Sequence, residues 1–215
     1  MTPLLTLARW HEDFRGLLTG SVYAAPPSAR TEAARALIGA GMGVHVDMMA
    51  ESEGLPDGVT LAELRQISGA VKTSAVDVHL IGSNCFVDDA LCGILPMRPA
   101  KIFLPWHAFT AERARAVRAV SSSAWITLWD EWDGISAPAW PAPPDGVLIM
   151  LIEPGTRGRS RLERLEIVTV CAKEMPVIVD GGITEDIAPL CVRAGVQSMV
   201  VGRALLATPE HRKEA

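Results

Sequence analysis

Eight short apolar runs, separated by stretches with helical periodicity, recur nearly from end to end of this 215-residue chain. They are LLTGSVYA (17–24), GVHVDM (43–48), VDVHLI (76–81), KIFLPW (101–106), AWITLW (124–129), GVLIMLI (146–152), PVIVD (176–180) and QSMVVG (197–202). Between them SARTEAARALIGAG, TLAELRQISG, FVDDALCGIL, AERARAVRAV, LERLEIVTVCAK and EDIAPLCVRAG mostly place apolar residues at helical spacing, several ending in a glycine stop. Buried strands alternating with amphipathic helices predict parallel β/α units. Eight units at a period of about 27 residues predict a single (β/α)8 barrel of the TIM type rather than a doubly wound sheet. The span 130–145 (DEWDGISAPAWPAPPD) holds too many prolines for a good helix, so the fifth crossover is expected to be irregular. Residues 1–215 read as one domain, without a linker or low-complexity tail.

Charge and hydropathy narrow the partners. A net charge of −5 argues against nucleic acid, whose phosphates attract basic faces. No apolar run is long enough to span a bilayer, and MTPLLTLARWHEDFRG carries charge too early for a secretory signal. A soluble, cytoplasmic protein is expected, forming a homo-oligomer and needing no membrane. Cys85, Cys92, Cys171 and Cys191 lack CxxC spacing, which disfavours a zinc ribbon; they read as reduced, buried or half-buried small hydrophobes.

Polar residues within the strands carry the functional signal. Side chains alternate along a strand, so His45, Asp47 and Met49 share one face, as do Asp77, His79 and Ile81. Asp180 ends PVIVD and precedes Gly181 and Gly182. If the apolar faces meet the helices, His45, Asp47, His79 and Asp180 point into the barrel near the carboxyl ends of their strands, where such barrels place their chemistry. Two carboxylates and two imidazoles buried together call for a neutralising cation. That donor set suits one divalent ion: Zn, Fe, Mn or Co.

Five segments in order, HVDMM (45–49), DVHL (77–80), IMLIEPGTRGRS (149–160), VDGGI (179–183) and AGVQSMVVGRAL (194–205), resemble the ribulose-phosphate 3-epimerase family along nearly the whole chain. The resemblance implies a metal-dependent epimerase acting on a small phosphorylated sugar, a ketose phosphate, through a cis-enediolate. It implies that His45, Asp47, His79 and Asp180 ligate the metal, and that Asp47 and Asp180 are the catalytic acid/base pair on opposite substrate faces. Met49 and Met150 would line the reaction centre as polarizable walls that donate no proton. Ser21, Gly155, Gly158, Gly181, Gly182, Gly202 and Arg203 would complete the substrate site, with backbone amides holding the phosphate.

The chain also departs from that pattern. Where the family has SxLSAD, the first strand reads SVYAAP, so Ala24 and Pro26 replace a Ser and an Asp. Ala50-Glu51 follow HVDMM in place of Asp-Gly, Ile81 replaces a Met, and His107 fits the family's FHxE segment only loosely. The phosphate loop reads PGTRGR, and Arg203 stands where a Ser is usual. A guanidinium filling that pocket is expected to be buried and to need an anionic partner, from the ligand or from Glu153 or Asp186. Arg157 and Arg159 are open between ligand contact and solvated surface. Trp125 is assigned to structure, as a residue of a strand start, whereas Trp106, Trp129, Trp132 and Trp140 stay open between pocket wall and packing. Two other readings compete: a barrel that binds a phosphosugar without turning it over, and another enolate-type lyase. The lyase reading lacks its lysine, because DVHLIGSN has none and Lys101 lies at the wrong end of its strand.

Overall fold

The computed structural model describes residues 6–136, 138–156 and 158–207. Its strands are β1 (Leu18–Ser21), β2 (Gly43–Met49), β3 (Val76–Ile81), β4 (Lys101–Pro105), β5 (Ser123–Leu128), β6 (Val147–Met150), β7 (Val177–Asp180) and β8 (Ser198–Val201). All pair in parallel in chain order, and β8 returns to β1 with Leu18 beside Met199, closing the barrel. The helices are α1 (Arg30–Gly39), α2 (Leu61–Ala70), α3 (Asn84–Ile94), α4 (Ala111–Ala119), α5 (Leu165–Cys171) and α6 (Ala188–Ala194). A two-residue ribbon, Thr6–Leu7 with Leu206–Ala207, joins the ends of the described chain. Among the described residues no helix is long and apolar enough to cross a membrane.

Alternation divides each strand between two cores. Outward residues such as Val44, Val46, Val78, Leu80, Ile102 and Leu104 pack on Ala33, Leu37, Leu64, Ile67, Val87 and Val117 of the helices. Inward Phe103, Trp125, Leu148, Met150, Ile178 and Val200 form a second cluster inside the barrel. Trp125, the third residue of its strand, is thus part of the packing inside the barrel. Trp125 alternates with outward Ala124 and Ile126 and pairs with Phe103 of β4, so its ring turns inward, 5.7 Å from that of Phe103. Side-chain caps set several helix starts: Thr60 and Glu63 form a reciprocal capping box, and Ser83 and Thr110 accept from Phe86 and Arg113 backbone N–H groups.

Among the described residues of the fifth crossover there is no helix, as its prolines imply. Indole rings pack there instead: Trp140 lies 5.2 Å from Trp106 and 6.0 Å from Trp132. The carboxyl ends of β5 and β6 are held by Arg164, whose buried guanidinium donates to the Leu128, Trp129 and Met150 carbonyls. One cysteine expectation needs correction. Cys171 and Cys191 are buried, but Cys85 and Cys92 are exposed on α3, where helical geometry turns them away from the core-facing Val87, Ala90 and Leu91.

Candidate metal centre

Strand register builds the centre. Asp47 of β2 lies directly opposite His79 of β3, and Met150 of β6 opposite Asp180 of β7. With His45 two residues before Asp47 on the same face, four donor atoms converge, all within 4.8 Å of one another. Asp47 Oδ1 sits 3.2 Å from His45 Nε2 and 3.2 Å from His79 Nδ1. Asp180 Oδ2 stands 4.0 Å from His45 Nε2. The Ser21 hydroxyl donates to Asp47 Oδ2 at 2.7 Å.

Both imidazoles and Asp47 are buried. Burial works against the Asp47 charge, but His45 and His79 at its oxygens hold it well below the usual carboxylate range. Burial, reinforced by repulsion from Asp47, pushes Asp180 up to about 7. Burial also works against a charged His45, yet Asp47, Asp180 and Asp77 together raise its pKa. His79 is lowered, by burial first and by His45 as well. Both imidazoles face the same Asp47 oxygen, and burial leaves His79 the less basic of the two. Two nitrogens and two carboxylate oxygens from three strands fit a divalent transition metal, whose charge offsets the buried acids.

Above these groups opens a pocket of about 720 Å³ at the carboxyl ends of the strands. Asp47 and Asp180 reach its wall, whereas His45 and His79 lie behind it. Ser21, Met49 and Met150 face the pocket, as do Gly155 and Gly158 of the β6 loop and Gly181, Gly182 and Gly202 after β7 and β8. Glycine is required at 181: φ is +114°, and a Cβ would come within 2.8 Å of the Ile152 nitrogen. Gly182 has φ +65° and a Cβ there would meet Ser160 Oγ at 2.7 Å, the same hydroxyl that donates to the Gly181 carbonyl.

Arg203 also lines the pocket, and it is the one cation among the described residues that do. The expectation of a buried, paired guanidinium fails: Arg203 is exposed, and among the described residues no ion pair ties it to Glu153 or Asp186. It stands two residues past the last strand, after Gly202, at the barrel rim, so its long side chain reaches water at no desolvation cost. Arg159 is exposed and away from the pocket, and Arg157 lies outside the described residues. Glu51 is exposed, and His107 Nε2 contacts the Gly82 carbonyl at 3.2 Å outside the pocket.

Pattern reading missed three features. Tyr23 lines the pocket from the turn after β1, and Thr156 and Thr184 add hydroxyls. Deeper in the barrel, Lys101 holds both oxygens of buried Asp77, at 3.0 and 3.2 Å. Alternation had put Asp77 on the inward face, which was the available signal for that pair.

The fold is shared with several solved structures. Phosphoribosyl anthranilate isomerase from Thermus thermophilus matches at TM-score 0.61 with 16% identity, over 87% of this chain and 88% of that one. Orotidine 5'-phosphate decarboxylase from Pyrococcus horikoshii OT3 matches at 0.58 with 14% identity, over 92% and 94%. Thiamine phosphate pyrophosphorylase from Pyrococcus furiosus matches at 0.58 with 15% identity, over 92% and 91%. At these identities the likeness is one of fold, a TIM barrel. In sequence, residues 142–206 match the model of the Ribulose-phosphate 3 epimerase family, a stretch that carries Met150, Asp180 and the pocket glycines and stops short of the β2 and β3 ligands.

Proposed function

We propose that this protein is a metal-dependent epimerase of a ketose phosphate, with Asp47 and Asp180 exchanging protons at the carbon beside the ketone. One observation carries the reading. Two inward carboxylates reach the wall of a single pocket, next to two imidazoles and flanked by Met49 and Met150, which donate no proton. The family match over residues 142–206 supports the same reading.

A divalent metal held by His45, Asp47, His79 and Asp180 would polarise the ketone and so acidify the neighbouring carbon. One carboxylate takes the proton from that carbon while the other returns one from the opposite side. Ser21 fixes the Asp47 carboxylate through its 2.7 Å hydrogen bond. The exposed amide backbone of Gly182 and the guanidinium of Arg203 offer the anionic end of the substrate a place at the rim.

Ketose phosphates incubated with zinc- or manganese-loaded protein in D₂O test this by NMR. The expected result is deuterium at the α-carbon together with the epimeric product, both absent in Asp47→Asn and Asp180→Asn. Ligand binding without exchange would leave a non-catalytic phosphosugar barrel, and cleavage of the sugar into two smaller carbonyl fragments would point to a lyase.

A further inference from the structure

His45 has two ring nitrogens, and the site uses only one. Nε2 faces Asp47 and Asp180, whereas Nδ1 is buried with no hydrogen-bond partner. A neutral imidazole carries one proton. With that proton on Nε2, Asp47 accepts it and Nδ1 is merely an unused lone pair. Once Nε2 gives its lone pair to a metal, the proton must sit on Nδ1. An N–H buried there without an acceptor is costly, and metal-binding imidazoles nearly always donate that proton to an oxygen.

The interior around His45 offers few acceptors. Phe103 covers one side of the ring, with centroids 5.4 Å apart. Two residues before His45 on the same face stands Gly43, which has no side chain. The Thr19 hydroxyl contacts Ser198 Oγ at 3.2 Å, and the Ser21 hydroxyl donates to Asp47. Asp77 is the carboxylate that the strand register sets beside His45. It is buried, lies opposite His45 in the β2–β3 register and faces inward, where Lys101 lies 5.9 Å from the Trp125 ring. Residues paired across neighbouring strands bring their side chains within about 5 Å at Cβ. His45 and Asp77 also influence each other's charge.

We infer that Asp77 is a positioning residue that accepts the His45 Nδ1 proton when Nε2 turns to a metal, with Lys101 holding the carboxylate beneath the ring. A change of the Asp77 rotamer, or one bridging water, completes the contact. Lys101 contacts both oxygens of Asp77, at 3.0 and 3.2 Å, and so fixes where the carboxylate stands. Resting on the reading of His45 as a metal ligand, this adds a second layer, Asp77 and Lys101, from the amino-terminal end of the barrel.

Zinc titrations of wild type, Lys101→Met, and the double variant Asp77→Ala/Lys101→Met test the inference. Acceptor loss should weaken zinc about tenfold or more in the double variant, the usual scale for such a partner. Lys101→Met keeps the acceptor and should bind zinc within about threefold of wild type, a shift of under 1 kcal/mol. A merely structural ion pair predicts the reverse order, because the single variant strands a buried charge and the double variant does not. Should Lys101→Met fail to fold, histidine ¹⁵N NMR of wild type decides. Zinc loading should move the His45 proton from Nε2 to Nδ1 and protect it from exchange; an unprotected Nδ1 proton would overturn the inference. Wild type that takes up no zinc refutes the metal reading itself. Wild type and double variant binding equally refute only the role of Asp77.

Discussion

The Ser21 hydroxyl donates to Asp47 Oδ2 at 2.7 Å, which joins the first strand of the barrel to the most highly connected acid of the centre. Asp47 Oδ1 meanwhile faces both imidazoles, so Ser21 is what orients the other oxygen. Ser21→Ala should weaken zinc binding by about tenfold and destabilise the metal-free protein by about 1–2 kcal/mol. Zinc titration and urea unfolding check both. Unchanged values in each would show that the hydroxyl is incidental.

Metal removal should cost stability. A ligand present at a hundred times its Kd contributes about 2.7 kcal/mol, which for a chain of this size corresponds to roughly 5–10 °C in Tm. Thermal scans with and without chelator should show that difference in wild type and not in His79→Ala. A wild type indifferent to chelator, and without bound metal on elemental analysis, would contradict the assignment of all four ligands.

Arg164 ties together the carboxyl ends of β5 and β6. Its guanidinium serves three carbonyls at the ends of β5 and β6, one of them that of Met150 in the pocket wall. Arg164→Met should lower stability by about 2–4 kcal/mol, because three acceptors lose their donors in a buried site. Arg164→Lys should recover little, since one ammonium cannot match the planar fork. The Asp130 contact contributes little to that loss, as its carboxylate is 63% exposed. Equal denaturation midpoints for wild type and Arg164→Met would show that neighbouring groups replace those bonds.

The cysteines should separate into two classes. Burial pushes the Cys171 and Cys191 thiols up to about 11, whereas Cys85 and Cys92 are exposed. A thiol reagent at pH 8 should therefore label two cysteines in the folded protein and four after unfolding. Rapid labelling of all four in the native state would contradict the burial of α5 and α6 against the barrel.

Local pattern determined the barrel. A parallel strand buried on both faces must be short and apolar, and a crossover helix must show one apolar stripe, so their alternation is written in residue type alone. The same period-two geometry sorted His45, Asp47, His79 and Asp77 to the inward face and marked Asp180 at a strand end. Tertiary structure decided the rest. Which inward groups meet depends on register between strands that are far apart in sequence. Asp47 finds Ser21, and Asp77 finds Lys101, across separations of 26 and 24 residues. Register between β4 and β5 set Trp125 beside Phe103 inside the barrel, a pairing that local composition does not specify. Whether Arg203 lies buried or exposed depends on how the chain leaves the barrel rim. That path is set by long-range closure of β8 on β1, and a residue's own chemistry does not encode it.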